Sequence, residues 1–116
     1  MSKSRALGTY LETLVANYFV EWFPDIKRAP TLNHPLGDFI GFPVVLEAKN
    51  QKKMTLAAWV DQAEKSGIRA GLPYMVVHNR PGKNVSKDYI TLPVDQLIPA
   101  ARAIVAELDR IEQANQ

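Results

Sequence analysis

The sequence contains no cysteine, which excludes disulfides, thiolate nucleophiles and zinc–thiolate centres together and is compatible with a reducing compartment. Any resident metal must therefore use oxygen or imidazole ligands, and the sequence has two histidines. No apolar run approaches the ~18 uninterrupted residues of a membrane span. The opening MSKSRALG lacks the apolar core and small-residue cleavage site of a secretory leader. These absences lead to the expectation of a soluble, cytoplasmic protein with no membrane attachment. A Gly-rich phosphate loop ending in Lys-Ser/Thr, a Gly-x-Ser-x-Gly elbow and an HExxH helix are all missing, which argues against nucleotide triphosphatase, serine hydrolase and zinc protease chemistry.

What is present suits one small domain spanning residues 1–116: 47% of the 116 residues are hydrophobic, enough for a modest core. Net charge is only +2, but the charges are unevenly placed. Lys49, Lys52, Lys53, Lys65, Arg69, Arg80, Lys83 and Lys87 face only Asp61 and Glu64 in the same stretch. Such a concentration suits a polyanion, because each cation that meets a phosphate can release a condensed counterion. A merely lysine-rich solvated surface would read the same way.

Leu7, Leu11, Leu14, Val15, Tyr18 and Trp22 recur at helical steps, which predicts a helix from Ser4, as N-cap, to Trp22, ended by Pro24. Residues Ile26 to Leu32 could supply a short edge strand, with His34, Pro35 and Gly37 in a loop. The segment Asp38 to Asn50 reads as a β-hairpin turning at Gly41 to Pro43. Thr55 caps a second helix running to Ser66, with Gly67 following it. Tyr74 to His78 reads as a buried strand and Asp88 to Leu92 as another. A last helix carries Leu97, Ile98, Ala101, Ile104, Val105, Leu108 and Ile111 on one side, with Pro99 in its first turn and a fraying tail from Gln113. No repeat interrupts this order, which predicts an α/β domain with a single mixed β-sheet flanked by helices. Tyr10, Tyr18, Phe19, Trp22 and Trp59 fall at core-like helical spacing and read as packing, and His34 and His78 as structural or DNA-proximal.

The chemistry concentrates in Leu46-Glu47-Ala48-Lys49. Side chains alternate along a strand, so Glu47 and Lys49 share a face. The preceding Val44, Val45 and Leu46 are apolar on both faces, as in a central strand, where an isolated charge is costly and needs a partner. Asp38, nine residues before Glu47, would be brought alongside it by the hairpin. Two carboxylates and the Ala48 carbonyl would then suffice for Mg²⁺, which takes oxygen ligands and keeps several waters. Lys49 would sit at the rim, able to stabilise charge on a phosphate oxygen and to orient or deprotonate a water. The plainer alternative is a Glu47–Lys49 ion pair with Asp38 merely ending a strand.

Gly37-Asp38 followed by Glu47-Ala48-Lys49 resembles the PD-(D/E)xK nuclease superfamily, with Gly37 where the pattern has proline. Within it, the chain is most similar to the small Holliday junction resolvase-type nucleases of phages and archaea. The resemblance implies a restriction-endonuclease-like core in the order α-β-β-β-α-β-β-α. It also implies use of Mg²⁺ or Mn²⁺ with no small-molecule cofactor, phosphodiester hydrolysis by a metal-activated water, and cutting of branched DNA as a homodimer. Asp38 and Glu47 would be metal ligands and Lys49 the catalytic lysine. Glu12, otherwise an ordinary solvated glutamate, would act as an accessory acid, and Gln62 would add a polar contact to the DNA. Lys52, Lys53, Arg80, Lys83 and Lys87 are candidate phosphate contacts. A restriction-like, repair or nicking enzyme and a non-catalytic DNA-binding module are the rival expectations.

Overall fold

The run Val44-Val45-Leu46 makes a strand with no polar face, and the chain covers it from both sides. A computed structural model describes residues 3–31 and 34–116. Its elements are α1 (Lys3–Phe19), β1 (Lys27–Arg28), β2 (Phe39–Ile40), β3 (Val45–Lys49), α2 (Leu56–Ala70), β4 (Tyr74–His78), β5 (Tyr89–Thr91) and α3 (Leu97–Ala114). Strands β3 and β4 are parallel, with Glu47 opposite Val76 and Lys49 opposite His78, and β5 is antiparallel to β4. A parallel pair needs a crossover, and α2 supplies it. Leu46, Ala48, Met75 and Val77 pack on Leu11 and Val15 of α1 and Ala100 of α3. Val45, Tyr74 and Val76 pack on the opposite face beneath Trp59 and Ala63 of α2. The result is an α/β fold with a mixed sheet between helical layers. No helix among the described residues is long and apolar enough to cross a membrane.

The expected hairpin does not form. β2 pairs antiparallel with β1 in a separate ribbon, so the strands make two small sheets and not one. The only ladder contact between this segment and β3 is a bridge between Gly37 and Leu46, and it is parallel. The cause lies in residues 41–43. Phe42 packs against both Phe19 and Phe23, with ring centroids 5.2 and 4.9 Å away, and Pro43 has no N–H to lend to a tight turn. Gly41 adopts a φ of +73° and lies so close to Asp25 that a Cβ would meet its carbonyl oxygen at 2.1 Å. The segment is a wide, anchored loop.

Helix ends also differ from expectation. α1 stops at Phe19, three residues before Trp22, and Phe23 takes the buried place that a longer helix would have given Trp22. Tyr10 and Tyr18 on the helix, and Trp22 beyond its end, are exposed, whereas Trp59 is buried. Ser4's side chain and Leu32, the expected end of the first strand, lie outside the described residues. Thr55 precedes α2 but makes no side-chain cap bond.

α2 runs through Gly67 to Ala70, and Gly71, with a φ of +68°, ends it in the left-handed conformation. Gly67 is there for packing: an added Cβ would lie 2.8 Å from Tyr74 Cδ1 and 2.9 Å from the Leu72 carbonyl oxygen. Gly67→Ala should therefore destabilise the protein by about 1–2 kcal/mol, because overpacking against backbone outweighs the roughly 1 kcal/mol that alanine gains in helix propensity. Urea denaturation would read this, and unchanged or increased stability would contradict the close approach.

Candidate active site

Because Leu46 and Ala48 point toward α1 and α3, the residues between and after them, Glu47 and Lys49, point toward α2. Glu47 is only 3% exposed. Its Oε1 accepts a hydrogen bond from Ser66 Oγ of α2 at 3.1 Å. Asp38 arrives by a different route from a hairpin. Its Oδ2 accepts the Ala48 N–H at 2.7 Å, so the side chain takes the place of a ladder partner on the edge of β3 turned away from β4. The Ala48 carbonyl faces that same edge, since Lys49's carbonyl, one residue on, accepts from Asn79 N–H beyond β4. Asp38 and Glu47 line one pocket of about 610 Å³ together with His34, Gly37, Gln62, Lys65, Ser66, Ile68 and Arg69.

The two acids perturb each other. Glu47 is pushed up to about 8, first by burial, then by the charge of Asp38 and a hydrogen bond between the carboxyl groups; Ser66 and Lys49 oppose the shift. Among the described residues neither acid has an ion-pair partner; the one salt bridge joins Arg110 and Glu107 on α3. The plain Glu47–Lys49 pair is therefore not what forms. Lys49 is half-buried and its Nζ donates to Gln62 Oε1 at 2.6 Å.

Glu12 lies on α1 within electrostatic reach but does not line the pocket. It is raised to about 7 by burial and then by Asp38, against the pull of Arg28 and Lys49. Lys52 and Lys53 are exposed in the loop after β3. Arg80, Lys83 and Lys87 follow β4, at the sheet end where Lys49 sits, but none lines the pocket. The Arg80 guanidinium is stacked over the Tyr89 ring, 4.8 Å from its centroid, and its backbone N–H donates to Asp88 Oδ1 at 2.9 Å. His78 is buried, with Nε2 2.8 Å from Thr91 Oγ1, a packing role.

Sequence reasoning missed Arg69 as a site residue because Gly67 was read as the end of α2, and passed over Lys65 and Ser66, inside the expected helix, because nothing local marks them as facing the acids. The pointer to the true end was Gly71-Leu72-Pro73, a glycine followed closely by proline. With the helix extended, Gln62, Ser66 and Arg69 fall at steps of four and three on one face.

No three acids or histidines gather into a metal-binding group among the described residues. A resident ion would depend on the two carboxylates, the Ala48 carbonyl and water. That donor set fits Mg²⁺ or Mn²⁺, which take oxygen ligands and retain waters. Ser66 and Ala48 N–H occupy one oxygen of each carboxylate, leaving Glu47 Oε2 and Asp38 Oδ1 without a donor from outside the acid pair itself among the described residues. Comparison with protein-family models, curated proteins and solved structures found no match to this chain.

Glu47 and Glu12 both hold protons in the folded state that the unfolded chain releases above its ordinary value of 4.5. Their contribution to stability is complete below that value and is lost as the pH rises through about 7 and about 8. In metal-free buffer, Glu47→Gln should flatten the fall in stability across this window, measured by urea denaturation at several pH values. Parallel wild-type and Glu47→Gln curves would contradict the burial of an uncompensated acid pair.

Proposed function

We propose that the protein is a Mg²⁺-dependent DNA endonuclease of the PD-(D/E)xK type, acting on branched DNA in the manner of a Holliday junction resolvase. The observation that carries this is the convergence of Asp38 and Glu47 on one pocket, with Lys49 on the face of β3 that Glu47 shares. Supporting it are the all-oxygen donor set and the element order α-β-β-β-α-β-β-α. At residue 37 the chain departs from the superfamily's pattern for a physical reason: its φ is +84°, which proline, fixed near −65°, cannot adopt. A Cβ there would also lie 3.2 Å from Glu47 Oε1.

In this reading Asp38, Glu47 and the Ala48 carbonyl hold Mg²⁺, or Mn²⁺ in its place. When bound, the ion supplies charge neutralisation, polarises the phosphoryl group and acidifies a water. The protein's own groups do the rest. Ser66 orients Glu47, and the Ala48 N–H orients Asp38. Gln62 steadies the Lys49 ammonium, which stabilises negative charge building on a phosphate oxygen. Glu12 modulates the field from α1 without contacting the pocket. Lys52, Lys53, Lys83 and Lys87, with Arg80 once released from Tyr89, hold flanking phosphates. A four-way junction offers two strands to cut, so a two-fold homodimer is the assembly this reading requires.

Wild type should cut a four-way junction in Mg²⁺ and Mn²⁺ in preference to linear duplex or single strands. Glu47→Ala and Lys49→Ala should each lower the cleavage rate by about a hundredfold or more while retaining binding. Light scattering with and without junction DNA should report a dimer. Binding without cutting by wild type, with either ion, would favour a non-catalytic DNA-binding module, and cutting confined to linear duplex a restriction-like enzyme.

A further inference from the structure

The pocket has two walls of opposite charge that do not neutralise each other. One is β3 and the Gly37–Asp38 segment, carrying the two acids. The other is α2, whose Gln62, Lys65, Ser66 and Arg69 fall at i, i+3, i+4 and i+7 and all line the cavity. Among the described residues Lys65 and Arg69 form no ion pair. Glu47 is drawn down by Lys49 but by neither of these cations. They line the acids' pocket yet are held off them.

Lys65 and Arg69 could be ordinary solvated cations, and Arg69, in the last turn of α2, also suits the helix dipole. A dipole role is met by a side chain pointing anywhere around that turn. Arg69 instead turns into the pocket, with Nη2 3.5 Å from Ser66 Oγ, the hydroxyl that holds Glu47. An acidic wall facing a cationic wall across open space suits a ligand that brings a cation to one side and an anion to the other. A phosphodiester with its divalent ion is such a ligand. Ile68, 73% exposed and lining the same pocket, offers an apolar surface to a sugar.

We infer that Lys65 and Arg69 form a phosphate-binding wall for a polynucleotide strand, opposite Asp38 and Glu47 in the same pocket, with Arg69 reaching the phosphate under attack. The inference rests on the nuclease reading for its choice of polynucleotide, and the test separates the two. Fluorescently labelled junction and single-stranded DNA are titrated with protein in Ca²⁺, over a range of salt, for wild type, Lys65→Ala, Arg69→Ala, Arg69→Lys and, as control, Arg102→Ala on α3. Thermal melting of each variant checks that the fold is intact.

Loss of one phosphate contact should lower the magnitude of the slope of log K against log salt by about 0.9 on junction DNA and about 0.7 on single strands. Lys65→Ala and Arg69→Ala are each expected to show that loss, Arg69→Lys to recover the slope, and Arg102→Ala to match wild type. In Mg²⁺ at saturating protein, Arg69→Ala should cut about tenfold or more slowly in a single turnover, and Arg69→Lys only partly recover, because a lysine cannot reproduce the bidentate fork. If Lys65→Ala and Arg69→Ala bind and cut like wild type while Glu47→Ala stops cutting, the wall is overturned and the nuclease reading stands. If wild type cuts nothing with Mg²⁺ or Mn²⁺ but binding still depends on Lys65 and Arg69, the wall stands and hydrolysis falls. Competition by inorganic phosphate or thymidine monophosphate as effective as that by DNA, with the same dependence on Arg69, would overturn the assignment to a polynucleotide.

Discussion

Glu47 is buried beside a second carboxylate, and among the described residues no cation pairs with either; the surrounding structure is arranged around that constraint. An ionised acid in such a place is costly, and burial together with Asp38 accordingly raises Glu47 to about 8. Three neighbours make the position tenable. Ser66 gives Glu47 a hydroxyl donor. The Ala48 N–H gives Asp38 a backbone donor. Lys49, turned to Gln62, lends charge from a distance without closing an ion pair. A cation of the protein placed to neutralise the pair directly would have occupied part of the pocket that the two acids line.

The precision of that arrangement comes from packing on the far side of the pocket. α2 is seated on β4 through Gly67, where helix and Tyr74 approach too closely for any side chain. Ser66 is the residue before it, so the same contact sets how deeply the Ser66 hydroxyl reaches toward Glu47. On the other wall, Gly37 adopts a left-handed conformation against Val45 and Glu47, which carries Asp38 to the unpaired edge of β3. Each of these two glycines fixes one acid's surroundings.

How legible this was depends on the kind of signal each residue carries. Tyr74 to His78 and the Val44 to Leu46 run were readable because an apolar run has few other fates, and the shared face of Glu47 and Lys49 follows from strand alternation alone. Asp38 was placed in the right neighbourhood by the wrong route. A hairpin was expected, whereas Phe42 in the aromatic cluster with Phe19 and Phe23 pulls the connection open. That is a long-range packing event with no local signature. Gly67 was read as a stop because a glycine's packing role cannot be seen without its neighbour, and Arg69 was missed with it; Lys65 and Ser66 lay in the expected helix, but which way its face turns depends on the sheet beneath it. Tyr10, Tyr18 and Trp22 have core-like spacing, but α1 stops at Phe19 and buries only a narrow stripe around Leu11 and Val15.

The central claim is that Asp38 and Glu47 together hold a divalent ion. Anomalous diffraction at the manganese edge from a crystal soaked in Mn²⁺ tests it most directly. The account predicts one strong peak within coordination distance, about 2.0–2.3 Å, of oxygens from both side chains, with the Ala48 carbonyl beside them. A map in which manganese appears elsewhere or nowhere, with no peak within coordination distance of both carboxyl groups, would contradict it.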